Sequence, residues 1–212
     1  MLFIIGVGPG DPSLITLRGL AMLKKCDKIL AWRSVAERVR QYLEDREVYY
    51  LTYANQDALL QEAIVQSKLL DVCILAHGDP MVSDWELLER VRRGGGQPIV
   101  INGVSSINVA LERLGLDLAH VVFLTHHASN PQPLDEVLLL VKKRVLLIFP
   151  PPKGLRETAR VLLEKIGNCR AEVLQDLTLP SERRWGGDLV NLAVLDEEFS
   201  DLSILAVDCR DY

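Results

Sequence analysis

The first half of the chain alternates short apolar runs with segments of helical periodicity. Residues 2–7 and 72–76 are apolar at almost every position and contain β-branched side chains, which predicts strands buried on both faces of a parallel sheet. Further strands are predicted over 28–31, 48–51 and 98–101, with Pro98 marking an edge. Between them, helices are predicted over 16–25, 34–44, from Asn55 (apolar face Leu59, Leu60, Ala63, Ile64), from Trp85 to the Gly94-Gly95-Gly96 stop, and over 107–113. Lys24 and Lys25 fall in the last turn of the first helix, where positive charge complements the dipole. The second half predicts a helix over 134–141, a strand over 144–149, a helix over 155–166, strands over 171–174 and 202–208, and a strand-turn-strand over 176–188. This is an α/β pattern in two parts, an N-terminal domain of residues 1–116 with glycine-rich loops and a C-terminal α/β domain of 117–212.

Three strands of the first half end in glycine-containing turns. After 2–7 comes Gly8-Pro9-Gly10-Asp11-Pro12. After 72–76 comes His77-Gly78-Asp79-Pro80, where Pro80 holds Asp79 extended and Asp84 is placed to cap the next helix. After 98–101 comes Asn102-Gly103-Val104-Ser105-Ser106, with Ser105 a candidate N-cap. Each alone reads as a tight turn. Together, at the carboxyl ends of buried parallel strands, they can converge on one crevice, the place where open α/β sheets bind ligands. The first turn lacks the dinucleotide spacing, Pro9 removes an N–H, no acid closes the second strand, and no Gly-Lys-Ser/Thr follows. A nicotinamide, flavin or P-loop site is therefore rejected.

The 212 residues are 49% hydrophobic, which supports a sizeable core and argues against disorder. No apolar run reaches the length of a membrane span and no signal-peptide pattern is present, so a cytoplasmic protein with no membrane partner is expected. The net charge of −5 argues against a nucleic-acid partner. Cys26, Cys73, Cys169 and Cys209 are widely spaced without a Cys-x-x-Cys pair; reduced, buried thiols and no metal site are expected.

The opening run from Gly6 to Pro12 with Thr16 and Gly19, followed by Gly78-Asp79-Pro80 and Gly103-Val104-Ser105-Ser106, resembles in order and spacing the three motifs of the tetrapyrrole methylases. That resemblance implies two α/β domains of the class III methyltransferase type with a cofactor cleft between them, S-adenosylmethionine as cofactor (S-adenosylhomocysteine as product), and a homodimer. Residues 177–183 (Leu-Thr-Leu-Pro-Ser-Glu-Arg) are similar to the leucine-glycine-x-proline-x-glutamate-arginine run of the cobalt-precorrin-7 C5-methyltransferases. This subgroup resemblance implies methylation of a meso carbon of a corrin precursor in cobalamin biosynthesis, with a separate C15 methylase/decarboxylase in the same pathway. The chain departs from the pattern at Asn102, where the family has proline, at Met81-Val82-Ser83, and at 124–128, where the subgroup's arginine is missing.

Carried over by motif, the cofactor contacts are Pro9, the backbone of His77, Gly78 and Asp79, Val82, Ser105, Ser106, Pro150 and Leu177. A polycarboxylate macrocycle calls for basic residues, and Arg33, Arg183 and Arg184 are the candidates, with His126 as the motif histidine. Asp11 either orients substrate or makes local turn hydrogen bonds, and Trp32 is either a platform or core. Adjacent His126 and His127 point to opposite faces of an extended segment and make a poor chelating pair. Methyl transfer needs in-line positioning more than a strong base or a metal, so no catalytic residue and no metal ligand is assigned. The alternatives are another precorrin carbon, a non-tetrapyrrole acceptor such as an RNA ribose or a modified protein histidine, and a non-catalytic cofactor-binding sensor.

Overall fold

Strand β1 (Leu2–Gly6) is buried along its whole length, and the reason is that alternate residues serve two cores. Phe3 and Ile5 join one apolar cluster; Leu2 and Ile4 join another. The structure, a computed structural model, describes residues 1–44, 46–126 and 134–210, and of Ser83 and Glu136 the backbone alone. His127 and the prolines at 131 and 133 lie outside the described residues. The chain divides into two units, Met1–Ser106 and Ile107–Tyr212.

In the first unit, β1 is followed by α1 (Leu17–Leu23), β2 (Lys28–Trp32), α2 (Arg33–Arg38), α3 (Arg40–Leu43), β3 (Val48–Leu51), α4 (Gln56–Gln66), β4 (Val72–Ala76), α5 (Pro80–Ser83), α6 (Trp85–Arg93) and β5 (Ile99–Ile101). The five strands are all parallel, in the order β3-β2-β4-β1-β5, so β5 is the expected edge. Side chains of α1 to α3 (Leu23, Val35, Leu43) and of Val39 between α2 and α3 pack on one face; those of α4 and α6 (Leu60, Ala63, Leu88, Val91) pack on the other. This follows from right-handed crossovers: the chain leaves β1 toward β2 and β4 toward β5, in opposite directions. The connections that follow the adjacent strands β1 and β4 therefore depart in opposite directions, the arrangement that places a crevice at the carboxyl ends of an open α/β sheet.

The second unit contains nearly all of α7 (Ser106–Leu114), then β6 (Val121–Thr125), β7 (Val145–Phe149), α8 (Leu155–Ile166), β8 (Arg170–Gln175), β9 (Arg183–Asp188), α9 (Leu189–Val194) and β10 (Ser203–Asp208). The strand order is β6-β7-β10-β8-β9; β6 and β7 are parallel and the other neighbours antiparallel. Leu155, Ala159 and Leu162 of α8 and Leu189, Leu192 and Ala193 of α9 bury their apolar stripes on one face of this sheet. The sequence-based junction after residue 116 follows the end of α7.

Several local expectations change. The single helix over 34–44 is two short helices broken at Val39 (φ −112°, ψ 16°). The helix over 134–141 is a 3-10 turn, Leu134–Glu136, followed by turns. Residues 176–188 contribute a turn and one strand, and β6 and α9 were not foreseen. Neither Asn55 nor Asp84 forms a side-chain cap. Asn55 instead closes its own turn, accepting from Thr52 N (2.7 Å) and donating to Tyr50 O (3.1 Å). The carbonyls at the end of α1 are capped by Arg46, which donates to Leu23 O (2.7 Å), Cys26 O (3.0 Å) and Lys24 O, an arrangement favoured by the helix dipole.

The four cysteines are buried as expected, but they are not free thiols. Each unit holds one disulfide, Cys26–Cys73 and Cys169–Cys209, with Cα atoms 5.9 and 4.9 Å apart. Strand pairing, invisible in the spacing of the cysteines, brings them together. Arg170 faces Asp208 across β8 and β10, and Cys169 and Cys209 are the next residues of that antiparallel register. Among the described residues no helix is long and apolar enough to cross a membrane, and no cluster of ligating side chains could hold a metal ion.

Candidate functional site

The crevice of the first unit is built from backbone. Gly8 and Gly78 exchange two hydrogen bonds, Gly78 N to Gly8 O at 2.9 Å and Gly8 N to Gly78 O at 3.3 Å, so the turns after β1 and β4 form a short bridge beyond the sheet. The His77 ring fastens the same pair of turns, its Nε2 lying 2.8 Å from the carbonyl oxygen of Pro9. The third turn is pressed against the first two. A Cβ on Gly6 would stand 2.5 Å from Gly78 O and 2.7 Å from Gly103 N, and one on Gly103 would collide with the Gly78 carbonyl. Glycine is required at both positions because three main chains meet there.

Gly78 adopts φ +61°, and a Cβ there would lie 3.8 Å from Val104 O and 3.9 Å from Ser105 Cα and Ser106 N. Its bare backbone therefore faces the peptide groups that start α7, leaving main-chain donors and acceptors as the groups the crevice presents. A ligand with hydroxyls, an amino-acid moiety and an adenine edge suits such a surface.

Polar side chains tie the turns further. Asp79 caps α5 through Met81 N (2.9 Å), and the Asn102 amide donates to both Asp79 carboxylate oxygens at 3.2 Å. The Asn102 carbonyl in turn accepts from Thr16 Oγ1 (3.2 Å), and the same Thr16 oxygen caps α1 at Gly19 N (3.0 Å). Neither Asn102 nor Thr16 was singled out as a contact in the sequence; the fixed Thr in the opening motif was the available signal. Val82 is half-buried on α5 and Ser105 is buried. Thus Pro9, His77, Gly78, Asp79, Ser105 and Ser106 share one locality.

Of the substrate candidates in this unit, Asp11 makes the local turn: its Oδ1 accepts from Ser13 N at 2.7 Å, and hydrogen bonding from Ser13 holds the exposed carboxyl below its ordinary pKa. Arg33 follows β2 at the same sheet edge and its guanidinium stacks 4.3 Å from the Tyr50 ring centroid. It forms no ion pair with the described residues, and it lines a hollow of about 490 Å³ with Glu37, Arg40, Glu44, Arg46 and Tyr50. Trp32 is half-buried, packs against both apolar clusters and meets Tyr53 edge-on-tilted at 5.1 Å. Asp84, half-buried between α5 and α6, is pushed up to about 6 by desolvation, with the Glu86 charge adding to it.

In the second unit the strand directions do the gathering. β6, β7 and β8 run the same way, so His126, Pro150 and Leu177 leave them at one edge; β9 and β10 start from that edge, which places Arg183 there as well. His126 N donates to Phe149 O (2.8 Å), continuing the β6–β7 ladder. Leu177 is buried between two residues with positive φ, Asp176 (52°) and Thr178 (67°). Glu182 holds this turn: its carboxylate accepts from Thr178 N (2.7 Å) and from Arg113 Nε (2.7 Å). Arg113 was missed in the sequence, since α7 and the turn after β8 are 69 residues apart. Arg183 pairs with Glu197 (2.7 Å) and lies 5.1 Å from the Phe199 ring; Arg184 pairs with Glu172 and donates to Arg113 O (3.2 Å).

Comparison with known proteins is consistent with this arrangement. A family model described as Tetrapyrrole (Corrin/Porphyrin) Methylases matches residues 1–193. A uroporphyrinogen-III C-methyltransferase of Methanobacterium ivanovii is 27% identical, covering 92% of each chain. A probable cobalt-precorrin-7 C(5)-methyltransferase of Methanocaldococcus jannaschii is 27% identical over 86% of this chain and 87% of its own. Among solved structures, a precorrin-6Y methylase of cobalamin biosynthesis from Archaeoglobus fulgidus superposes with a TM-score of 0.74 at 26% identity, covering 98% of this chain and 97% of that one. A uroporphyrin-III C-methyltransferase from Thermus thermophilus, complexed with S-adenyl homocysteine, shares the fold with a TM-score of 0.76 at 23% identity, over 99% of this chain and 97% of that one. With its family motifs folded into a single backbone crevice, the chain belongs to the tetrapyrrole (corrin/porphyrin) methylases.

Proposed function

We propose that this chain is an S-adenosylmethionine-dependent C-methyltransferase acting on the C5 meso carbon of cobalt-precorrin-7. The observation that carries the reading is the crevice formed by the turns at Gly8, Gly78 and Gly103, where the main chains approach so closely that a Cβ on Gly6 or Gly103 would collide with neighbouring backbone. Main-chain groups of His77 to Asp79 and of Ser105 and Ser106 would hold the cofactor, together with Pro9 and Val82; Pro150 and Leu177 are assigned as cofactor contacts by the family motif alone. When bound, the cofactor would supply a methyl group activated on sulfur, for transfer to the macrocycle carbon.

The chain's own residues have two tasks, holding the donor in line and receiving the acceptor. Arg33 supports the second task, because its charge is not spent on a carboxylate of the described residues and its plane is fixed by Tyr50. Arg183 and Arg184 are already paired with Glu197 and Glu172, so a polycarboxylate would exchange ion pairs with them rather than neutralise free charge. Asp11 and His126 complete the substrate-side assignment. A homodimer in the cytoplasm, working beside a separate C15 methylase/decarboxylase, belongs to the same reading.

Support for the C5 position comes from the 177–183 run and from the Methanocaldococcus and Archaeoglobus relatives. The equal identity to the Methanobacterium protein favours a second reading, in which the acceptor is uroporphyrinogen III. Anaerobic incubation with methyl-labelled S-adenosylmethionine and each macrocycle, followed by mass and NMR analysis, separates the two. Label at C5 of cobalt-precorrin-7 alone is the expected result. Label only in uroporphyrinogen III overturns the acceptor and keeps the reaction class.

A further inference from the structure

The Asn102 side chain does work that a turn residue does not need. Asn102 is exposed, so its amide could be solvated at little cost. It instead donates to both oxygens of the half-buried Asp79 carboxylate, while its carbonyl receives the Thr16 hydroxyl. One residue thus links the turn after β5 to the turn after β4 by its side chain and to the start of α1 by its main chain. The third oxygen contact of Asp79, from Met81 N, fixes the carboxylate at the N-terminus of α5. With both neighbours in place the carboxylate keeps one orientation beside the Gly78 peptide, and the His77–Asp79 backbone keeps its spacing from Ser105. Proline, which stands at this place in the family motif, carries no donor for this bond.

We propose that Asn102 is a positioning residue for cofactor binding, acting through Asp79. The inference rests on the reading that these turns hold S-adenosylmethionine. Because Asn102 is exposed, truncating it opens no cavity, and the fold should lose little. The loss appears where the orientation of Asp79 matters.

The test measures S-adenosylhomocysteine affinity by calorimetry, and cofactor KM against kcat, in the wild type, Asn102→Ala and Asn102→Asp. Alanine deletes a charge-assisted hydrogen bond, and affinity should fall about tenfold. Aspartate keeps the shape but turns the donor into a second carboxylate facing Asp79, so it should bind more weakly than alanine. In both variants cofactor KM should rise while kcat, macrocycle KM and melting temperature stay close to wild type. A role in filling space predicts the reverse order, with aspartate the better substitute. That order, or wild-type affinity in both variants, would overturn the proposal. Should alanine fail to fold, the isosteric aspartate decides alone. A wild-type protein with no affinity for S-adenosylhomocysteine would sink the cofactor reading itself, before either variant is measured.

Discussion

The carboxylate of Glu182 accepts the backbone N–H of Thr178 at 2.7 Å, and Thr178 holds φ +67°. A β-branched residue in the left-handed region is strained, and the bond to Glu182, itself braced by Arg113, helps hold the turn with Leu179 N donating to Asp176 O (2.9 Å). Thr178→Gly should relieve this strain and stabilise the protein by about 1 kcal/mol, read by urea denaturation. A destabilised glycine variant would show that the threonine side chain contributes more than its backbone costs.

Hydrogen bonding from Arg113, then from Thr178 N, holds the Glu182 carboxyl below its ordinary 4.5 despite partial burial. A depressed carboxyl stabilises the fold above its unfolded value and loses that contribution as pH falls through the folded one. The stability gap between the wild type and Glu182→Gln should therefore be full above about pH 4.5 and close in more acidic solution. A gap that persists unchanged to acid pH would contradict the assignment.

Asp84 has the opposite sign. Burial raises it from 3.8 to about 6, so its ionisation works against the folded state. The cost is absent below about pH 4, grows between about pH 4 and 6, and is complete at neutral pH, of the order of 2–3 kcal/mol. Asp84→Asn should be more stable than wild type at pH 7.5 and equal to it at pH 3.5. Thermal melts across this range decide; an asparagine variant less stable at neutral pH would mean that the carboxylate has a stabilising partner.

Gly103 and Gly78 should fail differently. Alanine at Gly103 meets the Gly78 carbonyl and the Gly6 peptide, whereas alanine at Gly78 finds ordinary contact distances and suffers chiefly from φ +61°. The first should cost several kcal/mol through backbone displacement and the second about 1–2 kcal/mol. Paired denaturation curves test the order. A Gly103→Ala protein as stable as Gly78→Ala would contradict the close approach of the three turns.

The disulfides span 47 and 40 residues, one within each unit. Closing loops of that size stabilises a fold by about 4 kcal/mol each in the chain-entropy picture. Intact mass after alkylation in denaturant without reductant should show no free thiol, and dithiothreitol under partly denaturing conditions should lower the melting temperature. Four alkylated cysteines in the unreduced, denatured protein would return them to the reduced thiols that their spacing suggests.

Some features of this protein were determined by local sequence. Unbroken apolar runs at 2–7 and 72–76 admit only a strand with both faces covered, and the alternation with helical segments makes the first sheet parallel. Pro80 and the glycines at 78 and 103 mark where strands end because their backbone restrictions act within a residue or two. The order and spacing of the three turns carried the family, and with it the candidate contacts. Other features depend on pairs far apart in the chain, and only the tertiary structure decided them. Cys169 meets Cys209 through an antiparallel register; Arg46 caps α1 from the loop before β3; Arg113 braces Glu182 across 69 residues. β6 and α9 are mostly apolar runs of five and six residues, too short for periodicity to separate strand from helix, and the run at 134–141 has helical spacing but forms turns. Asn102 illustrates the division most plainly. As a letter it is a departure from a motif; its contact with Asp79 exists because β1 lies between β4 and β5 and brings their following turns within hydrogen-bond reach.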